Sequence, residues 1–239
     1  MIDGRIRRLA VSVVVWYLAV GPVGRRAAAQ VGHEPGNSPY RDIPLHPGPM
    51  LFVGHLGGDR GMSGTGTSNA RTLGVRYELP AGRALLFQFT GAYLQGDEFV
   101  INPYVDTTAA NRKTGPFRST LVLGEVGMQL RLTGAKTWRG LAPYVGPALG
   151  LVSAVESPKD TSGYQFGTKI TLGFSGGVRW YATRHLQVNA DARAQLWRLK
   201  YPVAYHNAAP DGSRLIPLSK TLQDWTLHPW ISIGVGWIF

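Results

Sequence analysis

The chain has 239 residues, of which 31 are glycine, 10% are aromatic and only 16% are charged, against roughly 25% charged for an average soluble domain. That balance excludes intrinsic disorder, which needs low hydropathy and high charge, and the absence of cysteine excludes a disulfide framework and a thiolate metal site. The formal charge of +11 falls to +7 once residues 1–29, with five arginines and one aspartate, are set aside. The remaining cations are scattered singly, without the run or helical stripe that nucleic-acid binding requires.

In chain order, Arg5, Arg7 and Arg8 form a basic opening, an apolar stretch runs from Leu9 to Val23, and Ala27-Ala28-Ala29 supplies small residues. This is the pattern of a secretory signal peptide over 1–29, cut after Ala29 to leave Gln30 first. The apolar stretch is too short for a spanning helix, which needs roughly 20 residues. Residues 30–48 carry Pro35, Pro39, Pro44 and Pro47 and are expected to form an extended periplasmic lead-in without secondary structure.

From residue 49 to 239 the pattern has period two, the mark of strands with one apolar face. It predicts eight strands, at about 49–58, 70–79, 84–96, 117–133, 141–155, 167–181, 185–199 and 225–239. In the last, Leu227, Ile231, Ile233, Val235, Trp237 and Phe239 share one face, while Thr226, His228, Ser232, Gly234 and Gly236 share the other. Short connections at 80–83, 134–140 and 182–184 alternate strictly with long polar ones at 59–69, 97–116, 156–166 and 200–224, so every long loop lies at one end. An all-β, eight-stranded antiparallel up-and-down barrel spanning a membrane has this layout, with short periplasmic turns and long external loops.

Alternation alone leaves open a lipocalin-like soluble barrel with its apolar face inward. Two features favour lipid outside. The polar face is rich in Gly, Ala, Ser, Thr, Asn and Gln rather than in Lys and Glu. Aromatics gather near strand ends: Tyr77, Trp138, Trp180, Tyr181, Trp237 and Phe239 at one end, and Tyr93, Phe117, Phe166, Trp197 and Trp225 at the other. Such placement matches the two interfacial girdles of a membrane barrel.

The sequence closes on Trp237-Ile238-Phe239, which resembles the C-terminal signal by which the barrel-assembly machinery recognises bacterial outer-membrane proteins. With the leader and the eight strands, residues 49–239 resemble the small outer-membrane barrel family that includes the OmpA transmembrane domain, OmpX and OmpW. The resemblance rests on architecture and the terminal motif. It implies export to the bacterial outer membrane, a monomer, contact with outer-membrane lipid and lipopolysaccharide, and Trp237 and Phe239 as the assembly signal.

An eight-stranded barrel is just wide enough for side chains to fill it. The inward face is expected to carry Arg76, Glu78, Glu125, Gln129, Arg131, Lys169, Arg179, Asp191 and Arg193. Because an isolated buried charge is very costly, the seven residues Arg76, Glu78, Glu125, Arg131, Arg179, Asp191 and Arg193 are expected to pair as an ionic network that plugs the lumen. The other reading of these charges is an ion path or gate.

The role expected is therefore structural or surface-interactive, with no evident catalytic site, no cofactor and no metal cluster. A porin-like alternative is a narrow channel for small hydrophobic molecules, as the resemblance to OmpW implies. It needs an apolar funnel and an opening in the wall, which Pro143, Pro147 and Pro229 would favour by removing ladder donors. A lipopolysaccharide-modifying enzyme is the third reading. His55, Asp59, His206, Asp224 and His228 lie near the external end, but no His-x-Ser pair, the pattern of the barrel deacylases, occurs on a strand. The glycine-rich run Gly57–Gly66 lacks a Gly-Lys-Ser/Thr ending and is expected to be a flexible external loop.

Overall fold

The computed structural model describes residues 38–43, 46–160 and 162–239; the signal peptide expected at 1–29 and its expected cleavage site lie outside them. Ten strands form: β1 (Tyr40–Asp42), β2 (Gly48–Leu56), β3 (Ser68–Pro80), β4 (Leu85–Ile101), β5 (Lys113–Arg131), β6 (Lys136–Trp138), β7 (Leu141–Glu156), β8 (Thr168–Tyr181), β9 (Leu186–Lys200) and β10 (Gln223–Trp237). Eight of them, all but β1 and β6, pair antiparallel in chain order. The circle closes because β10 pairs with β2 as well as with β9, and β7 pairs with β8. Around the closed circle, ladder partners satisfy most of the strand backbone without water.

The strands lie where period two predicts them, with two differences. The β4–β5 hairpin pairs as far as Ile101–Lys113, so its loop is 102–112 rather than 97–116. The lead-in is not devoid of structure: β1 pairs with β6, which sits inside the β5–β7 turn, and the Ile43 N–H donates to the Ala135 carbonyl at 2.9 Å. That ribbon ties the lead-in to the short-turn end.

Prolines do not open the wall. Pro147 lies where the β5–β7 ladder skips Met128 and Gln129. There Gly146 lets the two backbones touch, since a Cβ on it would lie 2.0 Å from the Met128 carbonyl oxygen. Pro143 and Pro229 keep their acceptor roles, taking hydrogen bonds from the N–H groups of Leu132 (2.9 Å) and Gly57 (2.8 Å).

Inside, the barrel has two layers. Its short-turn half holds charged and amide side chains. Its loop half holds an apolar cluster that includes Phe52, Leu94, Leu121, Trp197, Leu199 and Trp230, continued upward by Tyr164, Phe166, Tyr201, Tyr205 and Ile216 from the long loops.

Candidate functional site

The strand alternation sends one set of side chains into the lumen, and the short-turn layer is built from that set. Arg76 (β3) meets Asp191 (β9) at 3.1 Å, Arg179 (β8) meets Glu78 (β3), and Arg193 (β9) meets Glu125 (β5), with Arg193 also 3.7 Å from Asp191. Neutral groups complete the shells. Tyr144 donates its hydroxyl to Asp191 at 2.7 Å, while Gln187 and Gln195 donate to Glu78 and Glu125 respectively. Two amides join the pairs into one lattice: Arg179 donates to Gln129, Gln129 donates to Gln88 at 3.1 Å, and Arg193 reaches the same Gln88 oxygen at 3.5 Å.

Glycines make the room. A Cβ on Gly177 would lie 2.5 Å from the Tyr144 hydroxyl, and one on Gly150 would lie 2.5 Å from Cγ of Glu125. Six of the seven expected network residues are thus brought together. Arg131 is buried but stands apart from the carboxylates, with Nε and one terminal nitrogen unpartnered. Lys169 also stands apart, at the loop end, its ammonium 4.9 Å above the Phe166 ring.

The two interior layers are stitched together by cations over rings. Arg76 sits 4.3 Å from the Phe52 centroid and Arg193 5.0 Å from that of Trp230. Above them Trp197 stacks on His228 at 3.8 Å, and the three rings of Tyr164, Tyr201 and Tyr205 stack under the loops. Burial pushes the Tyr205 hydroxyl up to about 12.

Alternation alone does not reveal this apolar layer. Phe166 and Trp197, expected in the external girdle, point inward and are fully buried; Tyr181 likewise alternates to the inner side, beside Arg131. The other aromatics expected in the girdles do face outward: Tyr77, Trp138, Trp180, Trp237 and Phe239 towards the short-turn end, with Tyr93, Phe117 and Trp225 at the other.

The histidines and acids of the external end form no His–Asp hydrogen bond among the described residues. His55 faces outward, His228 is held between the Gly57 carbonyl (3.2 Å) and the Thr226 hydroxyl (2.9 Å), and Asp224 accepts from Tyr201 (2.6 Å) and the Met62 N–H (2.9 Å). Asp59 accepts from the Gly61 N–H at 3.1 Å, and the His206 carbonyl accepts from Arg214. No group of three His, Asp or Glu side chains among the described residues is placed to hold a metal.

The glycine-rich loop is pinned rather than loose. Arg60 donates to the carbonyls of Gly66 (3.2 Å) and Asp97 (2.8 Å), locking the loop to β4.

The exterior decides the environment. Leu51, Leu73, Val75, Phe89, Leu149, Ile170, Phe174 and Ile231 all stand outward, Ile231 with 69% of its surface exposed, while Arg76, Arg179 and Arg193 are 4% exposed or less. Such an inversion, with leucine outside and arginine inside over the whole wall, is stable only where the surroundings are hydrocarbon. It is a small eight-stranded membrane barrel.

No protein-family model and no curated relative matches the chain. Solved barrels are similar to it at low identity. The outer membrane protein OprG from Pseudomonas aeruginosa is 12% identical, covering 85% of this chain and 99% of its own, with a TM-score of 0.48. Neisserial surface protein A is 14% identical over 84% of this chain and 98% of its own, at 0.45. The attachment invasion locus protein of Yersinia pestis is 10% identical over 82% and 100%, at 0.38. The assignment as a membrane barrel rests on this chain's own ladders and surfaces.

Proposed function

We propose that this chain serves in the bacterial outer membrane as a closed barrel with a structural and surface-interaction role, its long external loops meeting lipopolysaccharide and neighbouring surfaces. The observation that carries the proposal is the doubly filled interior. A lattice of ion pairs occupies the short-turn half, and a packed apolar cluster roofed by Tyr205 and Ile216 occupies the loop half. A hydrated path must cross both layers, and in the upper one Phe52, Leu94, Leu121, Trp197 and Trp230 belong to one packed apolar cluster.

Export through a cleaved leader at 1–29, recognition by the barrel-assembly machinery and a monomeric state complete the reading. Trp237 and Phe239, both outward on the closing end, suit a signal read from the lipid side.

The test has two steps. Outer-membrane extracts run with and without boiling should give a band that shifts on heating, the behaviour of a closed barrel. The purified barrel in planar bilayers should then be electrically silent. A steady conductance would overturn the closed reading in favour of a narrow channel for small hydrophobic molecules, the second reading, which the apolar upper layer favours. Release or transfer of acyl chains from lipopolysaccharide would overturn both.

A further inference from the structure

The barrel wall forks at its external end between β8 and β9. The β8–β9 ladder stops at Thr171–Trp197, although β8 continues to Thr168 against β7 and β9 continues to Lys200 against β10. Three residues of each strand therefore face one another without pairing, and a cleft of about 430 Å³ lies there, lined by Thr168, Lys169, Ile170, Arg198, Lys200 and Trp225.

The cleft holds three cations and no acid. Lys169 is only 8% exposed, yet it forms no ion pair or hydrogen bond among the described residues; its ammonium rests on the Phe166 ring. Arg198 and Lys200 have no carboxylate partner among the described residues either. Glu98 is already engaged, one of its oxygens accepting from the Ser157 hydroxyl at 2.9 Å. Like charges gathered around a partly dry cleft repel one another unless an anion joins them. The surroundings narrow the anion's source. Trp225 and Ile170 face outward beside the cleft, at the depth where an indole marks the headgroup zone of a membrane.

We propose that this fork is a binding site for the phosphate group of an outer-leaflet glycolipid. The phosphate seats between Arg198, Lys200 and the Lys169 ammonium, while the acyl chains lie along Ile170 and the apolar wall below. A phosphomonoester carries about −1.5 to −2 charge at neutral pH, which matches three cations better than a carboxylate does. Arginine supplies a fork-shaped donor and the two lysines compact point charges. The inference rests on the barrel lying in the outer membrane.

The test uses the whole protein in neutral detergent, with bound lipid read by native mass spectrometry. Diphosphorylated lipid A, the same lipid stripped of phosphate, and millimolar inorganic phosphate are the three probes. Wild type should retain phosphorylated lipid A and lose the stripped form. Arg198→Gln and Lys200→Gln should each lower retention about tenfold, the worth of one charge-assisted contact. Arg83→Gln, which removes an equal charge from an exposed short turn at the opposite end of the barrel, should leave retention unchanged, and all three variants should keep the boiling shift.

Equal retention of stripped and phosphorylated lipid, or retention insensitive to Arg198→Gln and Lys200→Gln, would overturn the site. Full displacement by inorganic phosphate would make it a free-anion site and overturn the lipid assignment. A wild-type chain without a boiling shift would overturn the membrane placement first, and the inference with it.

Discussion

Replacing Glu125 by glutamine removes one charge from the lumen without changing its shape. Glu125 receives hydrogen bonds from Arg193, from the Gln195 amide and, at 3.5 Å, from Thr171. In the variant the amide oxygen turns to Arg193. Its NH2 group meets Gln195, whose own side-chain oxygen is buried without a partner in the wild type; a flip of Gln195 then restores that hydrogen bond. What is not restored is charge: Arg193 keeps only Asp191, at 3.7 Å and shared with Arg76. Removing one member of a buried pair costs about 3–5 kcal/mol, and the repaired hydrogen bond puts Glu125→Gln at the lower end, about 3 kcal/mol. Urea titration of the folded barrel in detergent, read by the gel shift, measures the loss. Adding Arg193→Met should recover most of it, because Asp191 still has Arg76 and Tyr144. A midpoint for Glu125→Gln within about 0.5 kcal/mol of wild type, the limit of additivity between independent sites, would refute the network as a source of stability.

Three further expectations use the same barrel. Gly177→Ala places a methyl group 2.5 Å from the Tyr144 hydroxyl, so it should cost about 1–3 kcal/mol by overpacking. Gly124→Ala, where a Cβ meets nothing within 4 Å, should leave the urea midpoint unmoved; equal losses would count against the packing argument. Asp211→Asn should loosen residues 102–112 in hydrogen exchange. In the wild type its carboxylate accepts from the Ser213 hydroxyl (2.5 Å) first, and then from the Thr107 N–H (2.9 Å), the Ser213 N–H (2.9 Å) and the Thr107 hydroxyl (2.8 Å), which together hold it well below its ordinary value of 3.8. A lowered folded value makes the tie fully present above that ordinary value and lost only as the pH falls further, so exchange in the wild type should stay slow from pH 7 down to about pH 4. Phe239→Ala should lower the heat-shifting fraction in cells several-fold while the purified chain still folds in detergent; an unchanged fraction would remove Phe239 from the assembly signal.

The strands were legible because one face of each is apolar without interruption. In β10, Leu227, Ile231, Ile233 and Val235 alternate with Thr226, His228, Ser232 and Gly234, and the structure keeps that alternation residue by residue. The inward charges followed from the same parity. The apolar upper layer did not, since there the inner residues are as hydrophobic as the outer ones: Leu121, Val122 and Leu123 run together, and the period fades. Trp197 stands near a strand end, where an interfacial ring is expected, although its parity with Gln195 and Leu199 places it inside. The β1–β6 ribbon and the outer part of the β4–β5 hairpin were missed for a different reason. Short segments such as Tyr40–Asp42 and Lys113–Pro116 carry too few apolar positions to show a period, and only pairing with a distant partner makes them strands.

The length of that hairpin bears on how the surface is met. Beyond the Tyr93–Val122 pair, β4 continues eight residues to Ile101, paired with Lys113. At about 3.3 Å per residue and a tilt near 40°, the tip stands roughly 20 Å above the level of Tyr93. Asp211 and Asp106 brace it against the loop between β9 and β10. A surface partner thus finds a stiff post in place of a tether, and little freedom is left to lose on contact. Cutting the 201–222 loop should slacken the post from a distance, so the shape an antibody or receptor recognises at Tyr104 depends on residues a hundred positions further along the chain.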